Sequence, residues 1–393
     1  MRHERISFES AQMNGAEPLT TVRRGGCEPW DENKGVTLDD LRAFAVARSL
    51  FRPVTLKRGL EKLGFVQADP IRAPARAQDL TLRHRVESYR AGDLELRYAG
   101  LGIEEDVLVN YGFVSGAVYA LMHPRRRPPA LDTLRTRTHR VLAFVRERGE
   151  AHPREVDAHF SHGTVTNYWG GATNATTHLL EELHYRGWLR VTRRERGIRI
   201  YALRQTAPAG DDLAPRERVD RLVDVVVDIY APLPALSLSY VVGRLRYAVP
   251  QWRRHLQAAL VRARARLAHE RVDGSDWYWP ARDRPQRYTP DQRVRLLAPF
   301  DPVVWDRRRF ELFWNWPYRF EAYTPAAKRR FGYYALPMLW RDRVIGWANV
   351  AVRNGTIDAG LGYVAGRAPR DRGFKQGLDE EIEAMRIFLS GRE

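Results

Sequence analysis

The sequence of 393 residues contains a single cysteine, Cys27, and only five lysines. One cysteine excludes an internal disulfide and any zinc or iron–sulfur site held by several cysteines. No apolar run approaches the roughly 20 residues that a membrane-spanning helix requires, and the N-terminus has no signal-like apolar core. From these absences we expect a soluble cytoplasmic protein with no membrane contact, no metal and no other cofactor.

Acidic residues are also too few to balance the basic ones. Lysine and arginine together number 65 against 48 aspartate and glutamate, which gives a formal net charge of +17. A GC-rich genome accounts for arginine in place of lysine, but it does not account for the surplus. An excess of this size favours polyanions, above all nucleic acid, through phosphate contacts and counterion release.

The length of the chain, and the change from helical to strand-like residue patterns along it, predict an α+β fold made of several modules. Residues 1–35 are polar and lack periodicity, so we expect a disordered leader. The rest divides into an N-terminal winged-helix-like module, a winged helix, a third winged-helix-like module and a C-terminal β-rich, barrel-like domain with a terminal helix, at residues 36–130, 131–208, 209–290 and 291–393. A monomer is the favoured oligomeric state.

The middle module gives the clearest structural pattern. Three amphipathic segments are followed by two alternating segments, at residues 134–148, 153–160, 172–186, 187–192 and 198–203. Three helices and a basic hairpin are typical of a winged helix that contacts DNA, and they assign phosphate contacts to Arg193, Arg194 and Arg196. The alternative is a polar turn on a module that binds protein. The third module repeats this pattern with helices at 218–229 and 247–269, followed by a turn at Asp273.

The residues with the most distinctive chemistry follow the second predicted helix, which runs from residue 55 to 63. In an extended backbone Phe65, Gln67 and Asp69 project from one face, because strand side chains alternate with period two. An amide and a carboxylate would then point at the same place, as a small catalytic pair does. The alternative is that Asp69 caps a helix whose first residue is Pro70. The arginines that follow are candidates for phosphate contact: Arg72, Arg76 and Arg83.

Two other charged clusters have open interpretations. Glu104, Glu105 and Asp106 could form a metal cluster, but without a paired histidine they more often begin a solvated helix. Arg341 and Arg343 lie at the turn of a predicted hairpin with aromatic residues on both sides. Such a tip can probe a DNA groove, although most hairpin turns are charged because they are in water.

Three motifs in order carry a family resemblance: Gln67-Ala68-Asp69-Pro70 with Ala75-Arg76-Ala77, the middle winged helix, and the LAPFDPVVWDR block at residues 297–307. Together they resemble the YcaQ/AlkZ type of winged-helix DNA glycosylase over residues 37–390. The resemblance implies tandem winged helices, a C-terminal β-domain and excision of N7-alkylated purines in base excision repair, with interstrand crosslinks unhooked by some members.

Carried over by position, the resemblance assigns the family's catalytic Gln-x-Asp motif to Gln67 and Asp69. That branch of the family is associated with broad substrates and crosslinks, and the expected partner is double-stranded DNA with alkylated or crosslinked bases. Some members carry a histidine where this chain has Gln78, and this difference bears on the activity and the substrate range of the enzyme. The motif contains no lysine for Schiff-base chemistry, so a monofunctional enzyme is expected.

Two alternatives fit the charge without catalysis. A winged-helix transcriptional regulator or nucleoid-associated protein explains the basic surplus and the hairpin, but not a Gln/Asp pair placed apart from the recognition helix. An RNA- or protein-binding scaffold predicts no response to DNA alkylation. Salt-sensitive binding to duplex DNA would separate these two alternatives from one another.

Overall fold

The computed structural model describes residues 4–6, 35–125, 135–166, 171–204, 213–285, 292–353 and 356–390. Within these residues helices alternate with small sheets, and neighbouring strands of every sheet are antiparallel. The α+β class expected from the sequence is therefore confirmed. None of the described helices is long and apolar enough to cross a bilayer.

The N-terminal part contains five α-helices and four strands. The helices are α1 (Leu38–Ser49), α2 (Leu56–Leu63), α3 (Ala77–Leu82), α4 (Asp93–Arg97) and α5 (Gly116–Met122). Strand β1 (Glu4–Ile6) precedes them, and β2 (Phe65–Gln67), β3 (Ile103–Val107) and β4 (Tyr111–Ser115) form a sheet in the order β2-β4-β3. Thr37 and Asp40 form the predicted capping box of α1, and Gly64 ends α2 with a φ of 68°.

The middle part has the three helices and the hairpin predicted from the sequence. The helices are α6 (Arg135–Arg148), α7 (Pro153–Phe160) and α8 (Ala175–Tyr185), and the strands are β5 (Glu150–Ala151), β6 (Thr164–Thr166), β7 (Ala172–Asn174), β8 (Leu189–Glu195) and β9 (Ile198–Leu203). The strands β5, β9 and β8 form one sheet. A hydrophobic core of their own holds these elements together, with Val141, Leu180 and Leu189 fully buried.

The third part contains one helix more than the sequence predicted. Its helices are α9 (Pro215–Tyr230), α10 (Ala235–Arg244) and α11 (Leu256–Arg266), with strands β10 (Leu233–Pro234), β11 (Ala268–Val272) and β12 (Ser275–Trp279). The predicted helix 247–269 was too long, because a 3-10 turn at Pro250–His255 precedes α11. This part shares one core with α1, β2 and α5, so the first and third parts are packed together.

The C-terminal part is a sheet covered by a helix. It contains β13 (Val294–Leu296), α12 (Arg307–Trp314), β14 (Leu336–Trp340), β15 (Arg343–Arg353), β16 (Thr356–Tyr363) and α13 (Arg372–Leu389). The sheet order is β1-β16-β15-β14-β13. In the described ranges its two edge strands do not pair with each other, so the barrel-like prediction is wrong. Helix α13 packs Phe374, Leu378 and Met385 against the open sheet. It covers the face that would be the interior if the sheet closed into a barrel.

Two further expectations are corrected at this level. The leader was expected to be disordered, but Glu4–Ile6 forms the edge strand β1, paired with β16. The rest of residues 1–34 lies outside the described residues. The acidic residues 104–106 do not begin a solvated helix: they lie in β3, where Glu105 and Asp106 are fully buried and ion-paired. No group of three potential metal-ligating side chains is found in the described part of the chain.

Candidate active site

Strand β2 places the Gln-x-Asp motif between two hydrophobic cores. Phe65 packs into the core shared with the third part, whereas Val66 and Ala68 pack towards the core shared with the C-terminal sheet. The predicted alternation is therefore confirmed for this strand. Gly112 lies opposite Gln67 in β4, where a Cβ atom would stand 2.3 Å from the Val66 carbonyl oxygen. A glycine is required there because the two backbones approach so closely.

The amide of Gln67 is fixed in one orientation. Its Oε1 atom accepts hydrogen bonds from Asn110 Nδ2 and from Trp305 Nε1, each at 3.0 Å. An indole nitrogen can only donate, so Oε1 is the acceptor and the Nε2 group keeps its two N–H bonds for another partner. Gln67 is 9% exposed, and it therefore offers a nearly buried, oriented donor.

Asn110 is oriented in turn by Arg244 of α10. The Arg244 Nη2 group donates to Asn110 Oδ1, and the same guanidinium donates to the Val109 carbonyl oxygen at 2.6 and 2.9 Å. Since a guanidinium has no acceptor, Asn110 must present its NH₂ group to Gln67. A chain of donors thus runs from Arg244 through Asn110 to Gln67.

Trp305 reaches Gln67 from the LAPFDPVVWDR block at residues 297–307, and an ion pair anchors this block. Asp301 and Arg85 are both fully buried and form a bidentate pair with distances of 2.7 and 2.9 Å. The Trp305 ring stacks on Tyr230 with 4.6 Å between centroids, and Asp306 caps the following helix α12. Two of the three sequence motifs therefore meet through one hydrogen bond.

Asp69 lies just beyond the end of β2 and is half-buried. Its Oδ1 atom accepts a hydrogen bond from the Ile71 N–H at 2.9 Å, and its own N–H donates to Gln78 Oε1 at 3.4 Å. No described helix begins at Pro70, so the helix-cap interpretation is wrong. Burial raises the pKa of the Asp69 carboxyl above its ordinary value. Among the described residues, Oδ2 has no hydrogen-bond partner, and one carboxylate oxygen is available for substrate or water.

Two tyrosines of the C-terminal part lie within electrostatic reach of Asp69. Burial, and next the Asp69 charge, raise the pKa of Tyr334 and of Tyr323. Tyr334 is 2% exposed, and its hydroxyl has no hydrogen-bond partner in the described part of the chain, whereas Tyr323 is 79% exposed. A buried hydroxyl without a partner marks a place where water or a ligand group can bind.

Gln78 and Asp79 follow in α3, and neither is exposed. The sequence comparison drew attention to Gln78, whose Oε1 contacts the backbone of Asp69. Burial raises the pKa of Asp79 to about 6. Its Oδ1 atom already accepts hydrogen bonds from the Tyr89 hydroxyl and the Gly92 N–H, at 2.7 and 3.2 Å, so Asp79 stabilises the fold of this segment.

Three of the predicted DNA-contacting arginines lie in the segment after the motif or at the tip of the β8–β9 hairpin. Arg72 is exposed three residues after Asp69. Arg76 forms an ion pair with Glu95 and lies against Gly197 at the tip of the β8–β9 hairpin. Arg196 is exposed at that same tip, where its φ is 48°. The Arg76 side chain therefore joins the segment after the motif to the hairpin tip, and its guanidinium is already neutralised by Glu95.

The predicted phosphate contacts of Arg83 and Arg194 are corrected. Arg83 forms an ion pair with Glu381 of α13, and both side chains are buried. Arg194 turns back from the hairpin and forms an ion pair with buried Glu105, at 2.6 Å. Each guanidinium is already neutralised by a carboxylate from a distant part of the chain, so it is not available to a phosphate.

The remaining predicted contacts are paired with residues outside the motif. Arg193 pairs with Glu150 and Glu195. Arg341 donates to Gln292 and lies 3.5 Å from Asp371 at the start of α13, and Arg343 pairs with Asp39 at the start of α1. The structure does not bring these three arginines together with Gln67 and Asp69.

The family to which the chain belongs is one of DNA-repair enzymes that act on glycosidic bonds. The sequence model of the family described as DNA glycosylase AlkZ-like matches residues 60–388. The solved structure of Streptomyces sahachiroi DNA glycosylase AlkZ is similar in fold, with a TM-score of 0.55, 13% identity, and coverage of 90% of this chain and 97% of that chain. The chain belongs to the AlkZ-like DNA glycosylase family, and its substrate is DNA. The alternatives of a transcriptional regulator and a binding scaffold are therefore wrong.

Proposed function

We propose that the enzyme hydrolyses the N-glycosidic bond of N7-alkylated purines in duplex DNA, with Asp69 and Gln67 as its catalytic residues. The observation that carries this proposal is the pair itself. A half-buried carboxylate has one free oxygen, and two residues earlier on the same strand a glutamine presents fixed N–H donors. In support of DNA contact, the order of α6, β5, α7, α8 and the β8–β9 hairpin is that of a winged helix.

The chemistry of the substrate explains why so few groups suffice. An N7-alkylated purine carries a positive charge and departs as a neutral base, so the leaving group needs little help from a general acid. The enzyme must stabilise an oxocarbenium-like sugar and activate water. A carboxylate does both in glycoside hydrolysis, and Asp69 has the free oxygen for it. Gln67 can donate to the oxygen of the water or the sugar, but it cannot act as the base.

Crosslink unhooking is part of the same proposal. A base that is tied to the opposite strand cannot swing freely into a deep pocket. Asp69 is half-buried rather than enclosed, and the side chains next to the site include the exposed Tyr323. An accessible site of this kind supports action on interstrand crosslinks in chromosomal DNA.

Release of the free base from defined duplexes tests the proposed function. Wild-type protein is expected to release N7-methylguanine from a duplex with one such lesion and to leave an abasic site with an intact strand. A duplex with an N7-guanine interstrand crosslink should be unhooked. Strand scission without added alkali would contradict the monofunctional mechanism, and binding without base release from either duplex would reject the proposed substrate class.

Replacement of Gln67 by glutamate tests the role of the fixed donors. Glutamate keeps an acceptor for Asn110 and Trp305 but loses both N–H bonds, so the plateau rate should fall roughly tenfold, equivalent to one hydrogen bond of about 1.4 kcal/mol. The added negative charge also raises the pKa of Asp69, and the acid limb of the pH–rate profile should move to higher pH. Single-turnover rates across pH measure both effects. An unchanged plateau would show that the Gln67 donors do not act in the reaction.

A further inference from the structure

Helix α10 exposes two large apolar side chains next to the proposed catalytic pair. Leu236 is 64% exposed and Tyr240 is 56% exposed. They are four residues apart and therefore share one face of the helix, while Leu238 and Val241 on the opposite side are fully buried in the core. Two exposed apolar side chains on one helix face become candidates for ligand contact when other observations place them beside a site.

One side chain separates Tyr240 from Gln67. The ring centroids of Tyr240 and Trp305 are 6.0 Å apart, and the Trp305 indole donates to Gln67 Oε1 at 3.0 Å. A nucleotide whose sugar or base contacts Gln67 therefore brings a neighbouring nucleotide within reach of the Tyr240 ring.

Positive charge continues from the end of the same helix. The guanidinium groups of Arg244 and Arg246 lie 4.8 and 4.5 Å from the centre of the Tyr247 ring, and both Arg246 and Tyr247 are exposed. The Tyr240 ring can contact a base near Gln67, and the exposed Arg246 guanidinium beyond the end of the helix can contact the phosphates of the same strand. This combination favours nucleic acid over a protein partner as the occupant.

We propose that the exposed face of α10 contacts the DNA at the lesion, and that Tyr240 stacks on a base beside the alkylated nucleotide. This inference rests on the proposed function, because it places the lesion at Gln67 and Asp69. Stacking on a tyrosine replaces part of the base stacking that is lost when the lesion is drawn towards the catalytic pair. Tyr240 then makes the protein prefer a duplex whose stacking is already disturbed.

DNA affinity as a function of salt tests this role. In an Asp69→Asn background, where the lesion persists, Tyr240→Ala should weaken binding to a duplex with one N7-methylguanine by roughly 5- to 150-fold, the range measured for one stacked base. The slope of log affinity against log salt should stay the same, because no phosphate contact is removed. Arg246→Ala should reduce that slope by about 1.

The controls separate the ring from the hydroxyl and from the fold. Tyr240→Phe keeps the ring and should bind within about twofold of the Asp69→Asn parent. Val261→Ala changes another exposed apolar side chain of the third part, 60% exposed on α11, and should also leave affinity unchanged. Circular dichroism checks that each variant is folded. We expect all of them to fold, because the substituted side chains are exposed.

The possible outcomes are distinct. Unchanged affinity of Tyr240→Ala, or equal weakening by Tyr240→Phe and Tyr240→Ala, would overturn the stacking role. If wild-type protein released no alkylated base, the proposed function would fail whatever the Tyr240 variants did. Base release by the wild type together with unaltered binding by Tyr240→Ala would reject this inference alone.

Discussion

Replacement of Asp69 by asparagine is expected to slow release of an alkylated base by roughly 10²–10⁴-fold, the usual contribution of a positioned general base. Asparagine has nearly the same shape and can still accept the Ile71 N–H, so the turn after β2 should persist. The variant loses the negative charge that we propose stabilises the developing positive charge on the sugar and accepts a proton from water. Single-turnover rates with enzyme in excess over a lesion-bearing duplex measure this effect.

Binding and pH dependence provide the controls for Asp69. Affinity of the Asp69→Asn variant for the same duplex should stay within a few-fold of wild type, because the arginines proposed to contact phosphate are unchanged. Asp69 must be ionised to act, and burial raises its pKa. The wild-type rate should therefore fall as the pH drops through a pKa above the ordinary value for aspartate. A rate independent of pH across this range would contradict the role of Asp69 as base.

Replacement of Asp301 by alanine is expected to lower the free energy of unfolding by about 3–5 kcal/mol, the cost of leaving one partner of a buried ion pair alone. Arg85 is fully buried, and among the described residues Asp301 is the carboxylate with which it forms an ion pair. Without Asp301 the Arg85 charge would be buried and unpaired. The Ser49 and Thr81 carbonyl oxygens would remain as its acceptors. Equilibrium unfolding in denaturant measures the loss.

Two controls distinguish this pair from an ordinary surface contact. Glu217→Ala removes the partner of Arg221 in an exposed pair and should cost less than about 1 kcal/mol. The double variant Arg85→Met/Asp301→Leu removes both charges and should recover much of the stability lost in Asp301→Ala. Since the pair anchors the segment that carries Trp305, Asp301→Ala should also slow base release. Unaltered stability of Asp301→Ala would contradict the structural role of the pair.

Local geometry around the motif could be predicted from the sequence because it depends on neighbouring residues. Alternation along β2 follows from the period of a strand, and it correctly separated Phe65 from Val66 and Ala68. The capping box of α1 and the glycine after α2 also have local physical causes. The choice between a cap and a catalytic carboxylate at Asp69 was not local, because it depended on whether a helix followed Pro70.

Partners that are distant in the chain could not be predicted in the same way. Gln67 and Trp305 are separated by 238 positions, and no spacing in the sequence indicates that the indole donates to the amide. The same limit explains Arg83 and Arg194, whose neutralising carboxylates, Glu381 and Glu105, come from other parts of the chain. A surplus of arginine predicts a polyanion partner, but it does not identify which arginines are already paired.

The organisation of the sheets also depended on distant contacts. Apolar and polar residues alternate along the strands of the C-terminal part, and this pattern is the same in a barrel and in an open sheet. The choice between the two depends on α13, which covers one face of the open sheet. Helix α10 was missed, and with it the exposed face that carries Tyr240. Its sequence between Pro234 and Arg244 mixes serine with aliphatic residues, and it packs against α9, α11, β10 and β12, most of which are distant in the sequence.

Above all, we propose that this glycosylase removes an N7-alkylated purine through Asp69. To test this, a duplex with one N7-methylguanine is incubated with wild type, Gln67→Ala or Asp69→Asn and then cleaved with hot alkali. Cleavage of a parallel reference without enzyme is subtracted, because intact N7-methylguanine is itself partly cleaved by alkali. We predict enzyme-dependent cleavage at the lesion with wild type, a reduced amount with Gln67→Ala and only the reference level with Asp69→Asn. Equal cleavage by wild type and Asp69→Asn would contradict the proposed role of Asp69.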